Sequence, residues 1–125
     1  MMSYYERKKN VLKDKSFSFA IRIINLYKYL SNSRNEYVLS KQLLRSGTAV
    51  GALIRESQNA ESKADFIHKL AIAQKECDES IYWIELLYHT EYLSSNEYES
   101  IHNEAIEILK IIRSISLHQK INNFL

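Results

Sequence analysis

The side chains able to do chemistry are few, and their spacing invites specific tests. Asp65-x-x-His68 and Glu99-x-x-His102 both carry the carboxylate-x-x-His spacing that di-iron bundles use on two of their four helices. Such a centre also draws a carboxylate from each remaining helix, yet no acidic residue occurs between Asp14 and Glu36. Each pair also falls at the start of a predicted helix. In antiparallel neighbours that puts them at opposite ends, so no metal is expected.

Arg113 and His118 have the Arg-x4-His spacing of an all-α ribonuclease family, in which His moves protons and Arg holds the phosphate. A five-residue offset sets two side chains on different helical faces, so a solvated helix end is the plainer reading. No catalytic residue is expected, and a ribonuclease is the remote alternative. Cys77, the lone cysteine, falls on an apolar stripe and reads as a small hydrophobe. Gly47 and Gly51, the two glycines, lie mid-helix, so no phosphate-cradling loop exists. No cofactor is expected.

Charge is the stronger signal. The net charge is +2, but residues 1–75 hold 14 Lys/Arg against 6 Asp/Glu, and residues 76–125 hold 3 against 9. Much of that imbalance can be absorbed by pairing inside one molecule. A hairpin of the second and third helices centred near residue 60 sets Arg45 opposite Glu76, Lys41 near Glu79 and Arg55 near Asp65. Arg7, Lys8, Lys9, Lys13 and Lys15 are left over, with Arg22, Lys63 and Lys75 as further candidates. These eight are the expected contacts to RNA or a ribonucleoprotein, whose phosphates a basic surface attracts. Tyr4 and Tyr5 beside the basic run could stack on bases. A protein-interaction scaffold without nucleic acid is the competing reading.

These residues need elements to hold them, and composition restricts the choice. A chain of 125 residues with no proline and two glycines cannot make the roughly ten turns of an all-β domain. Helix starts are legible instead: Ser33-x-x-Glu36, Ser62-x-x-Asp65 and Ser94-x-x-Glu97 fit the capping box. Apolar spacing of three and four predicts helices from Ser16 to about Leu30 and over roughly 34–58, 63–91 and 95–118. The first would bury Phe17, Ala20, Ile24 and Tyr27, and the third Phe66, Leu70, Ala73, Cys77, Ile81, Ile84 and Tyr88. The predicted fold is an all-α, antiparallel up-down-up-down four-helix bundle over residues 16–118. A basic, partly disordered arm would precede it at 1–15, and a short tail would follow at 119–125. No apolar stretch approaches the ~20 residues of a membrane span, and no secretory signal is visible, so a cytoplasmic protein is expected.

Apolar residues exceed what one bundle seam needs. Phe19, Ile23 and Leu26 flank the predicted seam of the first helix, Trp83 and Leu87 that of the third, and Leu109 that of the fourth. Helices apolar nearly all round need cover on two sides, which predicts a homo-oligomer through these residues. Gly47 and Gly51 open a small-residue face for close helix packing and join the expected interface.

One family carries many of these features together. Ser40-Lys-Gln-Leu-Leu-Arg-Ser-Gly-Thr-Ala-Val-Gly51 is followed by Arg55-Glu56, Asp65-Phe66-Ile-His-Lys69, Ala71-Ile-Ala73, Glu76 and Tyr82-Trp83-Ile-Glu-Leu-Leu87. The combination resembles the 23S rRNA-intervening-sequence protein family over about residues 16–118. It is similar also to the accessory variability protein of diversity-generating retroelements. The resemblance implies a four-helix bundle assembled as a homopentamer, with nucleic acid as a partner in the retroelement relatives. It implies no established biochemical role for most members.

Overall fold

Residues 1–122 are described by a computed structural model in which four helices follow one another: α1 (Tyr4–Ser33), α2 (Val38–Ser57), α3 (Lys63–His89) and α4 (Ser95–Asn122). No strand occurs among the described residues, and the fold is all-α. Each helix packs on two others, in the cyclic order α1, α2, α3, α4. Between α1 and α4, Lys8 meets Ser114, Lys15 meets Glu107 and Arg22 meets Glu104, so the partner's number falls as that of α1 rises. The same falling register relates α2 to α3, where Arg45 meets Glu76 and Glu56 meets Lys69.

Caps explain where the helices begin. Ser94 and Glu97 form a reciprocal box: each side chain accepts the other's backbone N–H, at 3.2 and 2.8 Å. Ser62 Oγ accepts from Asp65 N at 3.0 Å, while the Asp65 carboxylate takes Glu61 N. The predicted box at Ser33 does not form, because Ser33 is the last residue of α1. Glu36 instead turns its buried carboxylate onto the N–H groups of Val38, Leu39 and Ser40, at 2.7–3.0 Å. One side chain satisfies three of the four free donors at the start of α2.

The first helix departs most from expectation. It starts at Tyr4, capped by Ser3 Oγ on Glu6 N at 3.1 Å, so the expected arm at 1–15 is its first three turns. Its buried face is Leu12, Ser16, Phe19, Ile23 and Leu30, while Phe17 and Ile24 face solvent. The expected and observed stripes are offset by a residue or two. Helix α4 likewise runs to Asn122 through part of the predicted tail, of which residues 123–125 lie outside the described residues.

This shift corrects the predicted oligomer interface. Phe19, Ile23 and Leu87 are fully buried in the core of a single copy, and Leu109 nearly so. None has surface to offer a second copy. Leu26 and Trp83 are half-buried against the same core. Gly47 is buried, and a Cβ there would lie 2.9 Å from Ile23 Cγ1; one at Gly51 would lie 3.2 Å from Ser16 O. Both glycines therefore let α2 approach α1 within the protomer. The apolar residues left outside include Phe17, Ile21 and Ile24 on α1.

Candidate nucleic-acid interface

The falling register brings the start of α1, the end of α2, the start of α3 and the end of α4 to one end of the bundle. Dividing each helix at its middle, residues 1–18, 48–76 and 109–122 carry 12 Lys/Arg against 6 Asp/Glu. The opposite end carries 5 against 9. One end is basic and the other acidic.

The eight predicted cations do not all meet. Lys15 pairs with Glu107 at 3.0 Å, and Arg22 pairs with Glu104 at 2.8 Å while also donating to Ser100 Oγ. Both neutralise a carboxylate of their own chain. Arg7, Lys8, Lys9, Lys13, Lys63 and Lys75 form no ion pair among the described residues. Arg7 is exposed and donates to Met2 O; Lys13 and Lys63 are exposed at the same end. Lys75 is exposed near the middle of α3, apart from the others. Lys8 and Lys9 are half-buried over aromatic rings: Lys8 Nζ is 5.0 Å from the Tyr4 centroid, and Lys9 Nζ is 4.8 Å from that of Phe66.

Sequence reasoning missed two members of this end. Arg55 lines one groove with Asp65, as expected, but forms no ion pair with it; its guanidinium covers Phe17, 5.7 Å from the centroid. His118 stacks on Tyr5, with centroids 3.4 Å apart and planes 11° apart. Ser3-x-x-Glu6, a fourth capping box in the sequence, was the signal that this segment is helical and its tyrosines ordered. Beside Arg55 lies an open groove of about 590 Å³, walled by Phe17, Ala20, Gly51 and Ala52 and rimmed by charges of both signs, Lys13 and Lys69 with Glu56, Glu61 and Asp65.

The arrangement offers little to a covalent mechanism. Arg113 reaches toward Asp78 at 3.9 Å while His118 is held by Tyr5 and Asn122, so the two do not converge. Burial pushes the Cys77 thiol up to about 12, and its Sγ lies 3.4 Å from Ala105 O. A thiol so placed stays protonated near neutrality. His102 pairs with Glu85 at 3.2 Å, far from His68. No group of three or more His, Cys, Asp or Glu side chains is placed to hold a metal among the described residues. Of the expected pairs, Arg45 with Glu76 forms at 3.0 Å; Arg45 also takes Glu79, the residue expected beside Lys41.

Fold and site define an all-α, four-helix protein with a cation-rich end and no assembled catalytic constellation among the described residues. No described helix is long and apolar enough to cross a membrane. The chain belongs to the 23S rRNA-intervening sequence protein family, whose model matches residues 8–114. It is similar to a crystal structure from Bacteroides thetaiotaomicron described as a protein of unknown function from the S23 ribosomal protein family. Identity is 58% over 87% of this chain and 97% of that one, with a TM-score of 0.86. No curated protein matches the chain.

Proposed function

We propose that this chain is a cytoplasmic, non-enzymatic RNA-binding protein: an antiparallel up-down-up-down bundle, assembled as a homopentamer, that presents its basic end to RNA or a ribonucleoprotein. The observation that carries the reading is the set of cations at one end, Arg7, Lys8, Lys9, Lys13 and Lys63, with no carboxylate partner among the described residues. Lys15, Arg22 and Arg45, by contrast, are paired with carboxylates of their own chain. Several copies in one ring multiply a modest basic surface into a large one, because linked sites act through effective concentration. The falling register between helices supports the antiparallel reading, and the names of the family and of its Bacteroides member favour a ribosomal setting.

Assembly has its own support. Phe17, Ile21 and Ile24 lie at helical spacing on the outside of α1, 36–54% exposed, beside the groove at Arg55. Exposed apolar area of this kind, rimmed by charge, marks association surfaces. Light scattering at low and high salt tests assembly directly, with a five-copy mass expected at both. Electrophoretic shift of RNA across a salt series tests the partner: affinity falls steeply with salt if several phosphates are neutralised. A protein scaffold without nucleic acid predicts no shift at any salt concentration.

A further inference from the structure

We infer that Tyr4, backed by Tyr5, His118 and Lys8, is a stacking platform for an unpaired base, so that the RNA recognised is single-stranded. The inference rests on the RNA-binding reading above and adds to it the class of RNA and the side chain that selects it. Tyr5 is fixed from one side by the parallel ring of His118, whose Nε2 accepts from Asn122 Nδ2 at 3.0 Å. Tyr4 sets its ring edge-on to Tyr5, with centroids 5.2 Å apart and planes 84° apart. Lys8 Nζ lies 5.0 Å from the Tyr4 centroid and 5.6 Å from that of Tyr5, and it also contacts Ser114 Oγ. Tyr4 is therefore positioned by two neighbours yet remains 59% exposed.

A large aromatic ring held in place but left bare is suited to binding, because the entropy of ordering it is already lost before a ligand arrives. The ligand must offer a flat π-face and a negative charge. The face complements the tyrosine, and the charge complements Lys8 with its exposed neighbour Arg7. A nucleotide has both. Within a duplex the faces of a base are covered by its neighbours, so only an unpaired base can stack here.

Anisotropy of a fluorescein-labelled oligouridine of about 12 nucleotides, set against an RNA duplex of similar length, tests this on the full chain. The wild-type protein is expected to favour the single strand by about tenfold or more. Tyr4→Ala is expected to weaken oligouridine binding by roughly 5- to 150-fold, the loss of one base–aromatic stack, and to leave duplex binding alone. Tyr4→Phe keeps the platform and retains affinity. Lys8→Gln is expected to lower the salt slope by about 0.7, one phosphate on a single strand. Circular dichroism of each variant confirms that the helices persist. If Tyr4→Ala binds oligouridine as tightly as wild type, the platform is overturned while a salt-steep affinity for both RNAs keeps the broader reading. If neither RNA binds at low salt, both are overturned.

Discussion

The two ends of the bundle use charge in opposite ways. At the acidic end charged groups work on the fold. Glu36 and Glu97 satisfy the backbone donors that open α2 and α4, Glu104 holds Arg22, and Glu79, with Glu76 at the boundary between the two halves, holds Arg45. Even Arg34, without a carboxylate partner, donates to the carbonyls of Glu91 and Tyr92. At the basic end Lys8, Lys9 and Arg55 sit over aromatic rings, and Arg7, Lys13 and Lys63 stand in solvent. A cation over a ring is held in place but keeps its charge. Beyond the Asp65 cap and the Lys15–Glu107 and Lys69–Glu56 contacts, the basic end leaves its cations free to bind, whereas the acidic end commits its caps and carboxylate pairs to stability.

Breaking the acidic end is expected to have the largest effect. Glu36→Ala leaves three N–H groups at the start of α2 without their carboxylate, at a cost of about 2–3 kcal/mol in urea unfolding. Lys13→Ala at the basic end, whose side chain stands in solvent, is expected to cost less than about 0.5 kcal/mol. Equal losses would erase the distinction between the ends. Acid sharpens it further. Burial opposes the charged form of Glu36, but the bonds from Leu39, Ser40 and Val38 outweigh it and hold the carboxyl below the ordinary 4.5. Glu97 is lowered chiefly by the Ser94 backbone N–H. For a carboxyl lowered in the folded state, the extra stability is complete above its unfolded value and disappears as pH falls through its folded one. Urea midpoints are therefore expected to fall below about pH 4.5, and Glu36→Gln to flatten that fall.

The next effect lies between the ends, at the close approach of α1 and α2. A Cβ at Gly47 would come within 2.9–3.3 Å of three atoms of the buried, stiff Ile23 side chain. Overpacking of this kind costs roughly 1–3 kcal/mol, against about 1 kcal/mol gained in helix propensity. Gly47→Ala is thus expected to lower stability by up to about 2 kcal/mol. Combined with Ile23→Ala, it is expected to be less damaging than the separate losses predict, by about 1 kcal/mol, because the new methyl occupies the vacated space. Strict additivity would show that the glycine serves something other than this contact.

How much of this was legible follows from the same residues. Ser62 and Ser94 announced their helices because a capping box is local, needing four residues and nothing from the rest of the chain. Arg45 with Glu76 followed from the register of a short-looped hairpin. The inward face of α1 did not follow, since Phe17, Phe19, Ile21, Ile23, Ile24 and Leu26 make that stretch apolar all round and leave its phase open. Packing against α2 decides it: Gly47 and Gly51 admit Ile23 and Ser16, seven residues apart on one side of α1, and Phe17 is turned outward. The run Leu12, Ser16, Phe19, Ile23 and Leu30 also begins before the predicted start at Ser16, which is why the charged N-terminal segment passed for an arm. The basic end was legible as a list of residues. Its aromatic partners were not, because His118 is more than a hundred residues from Tyr5 and only the fold brings them together.

On the binding side, reversing Lys13 to Glu is expected to weaken RNA binding several-fold and to lower its salt slope, as one phosphate contact is lost and a repulsion gained. Lys41→Glu, an equal charge change on an exposed residue of the acidic end, is expected to leave both unchanged. If the two substitutions behave alike, net charge alone governs binding and the basic end has no special standing.

The smallest effect tests the acidic end's surface pairs. Arg45 bridges Glu76 and Glu79 across α2 and α3, yet its side chain is 52% exposed. Water screens such a pair, and holding a long side chain in one geometry costs entropy, so Arg45→Ala is expected to lose about 0.2–1 kcal/mol in urea. High salt should remove most of that difference. A larger loss that persists in high salt would point to the Arg45 stem packing between the helices, and the acidic end would then depend less on charge than its caps imply.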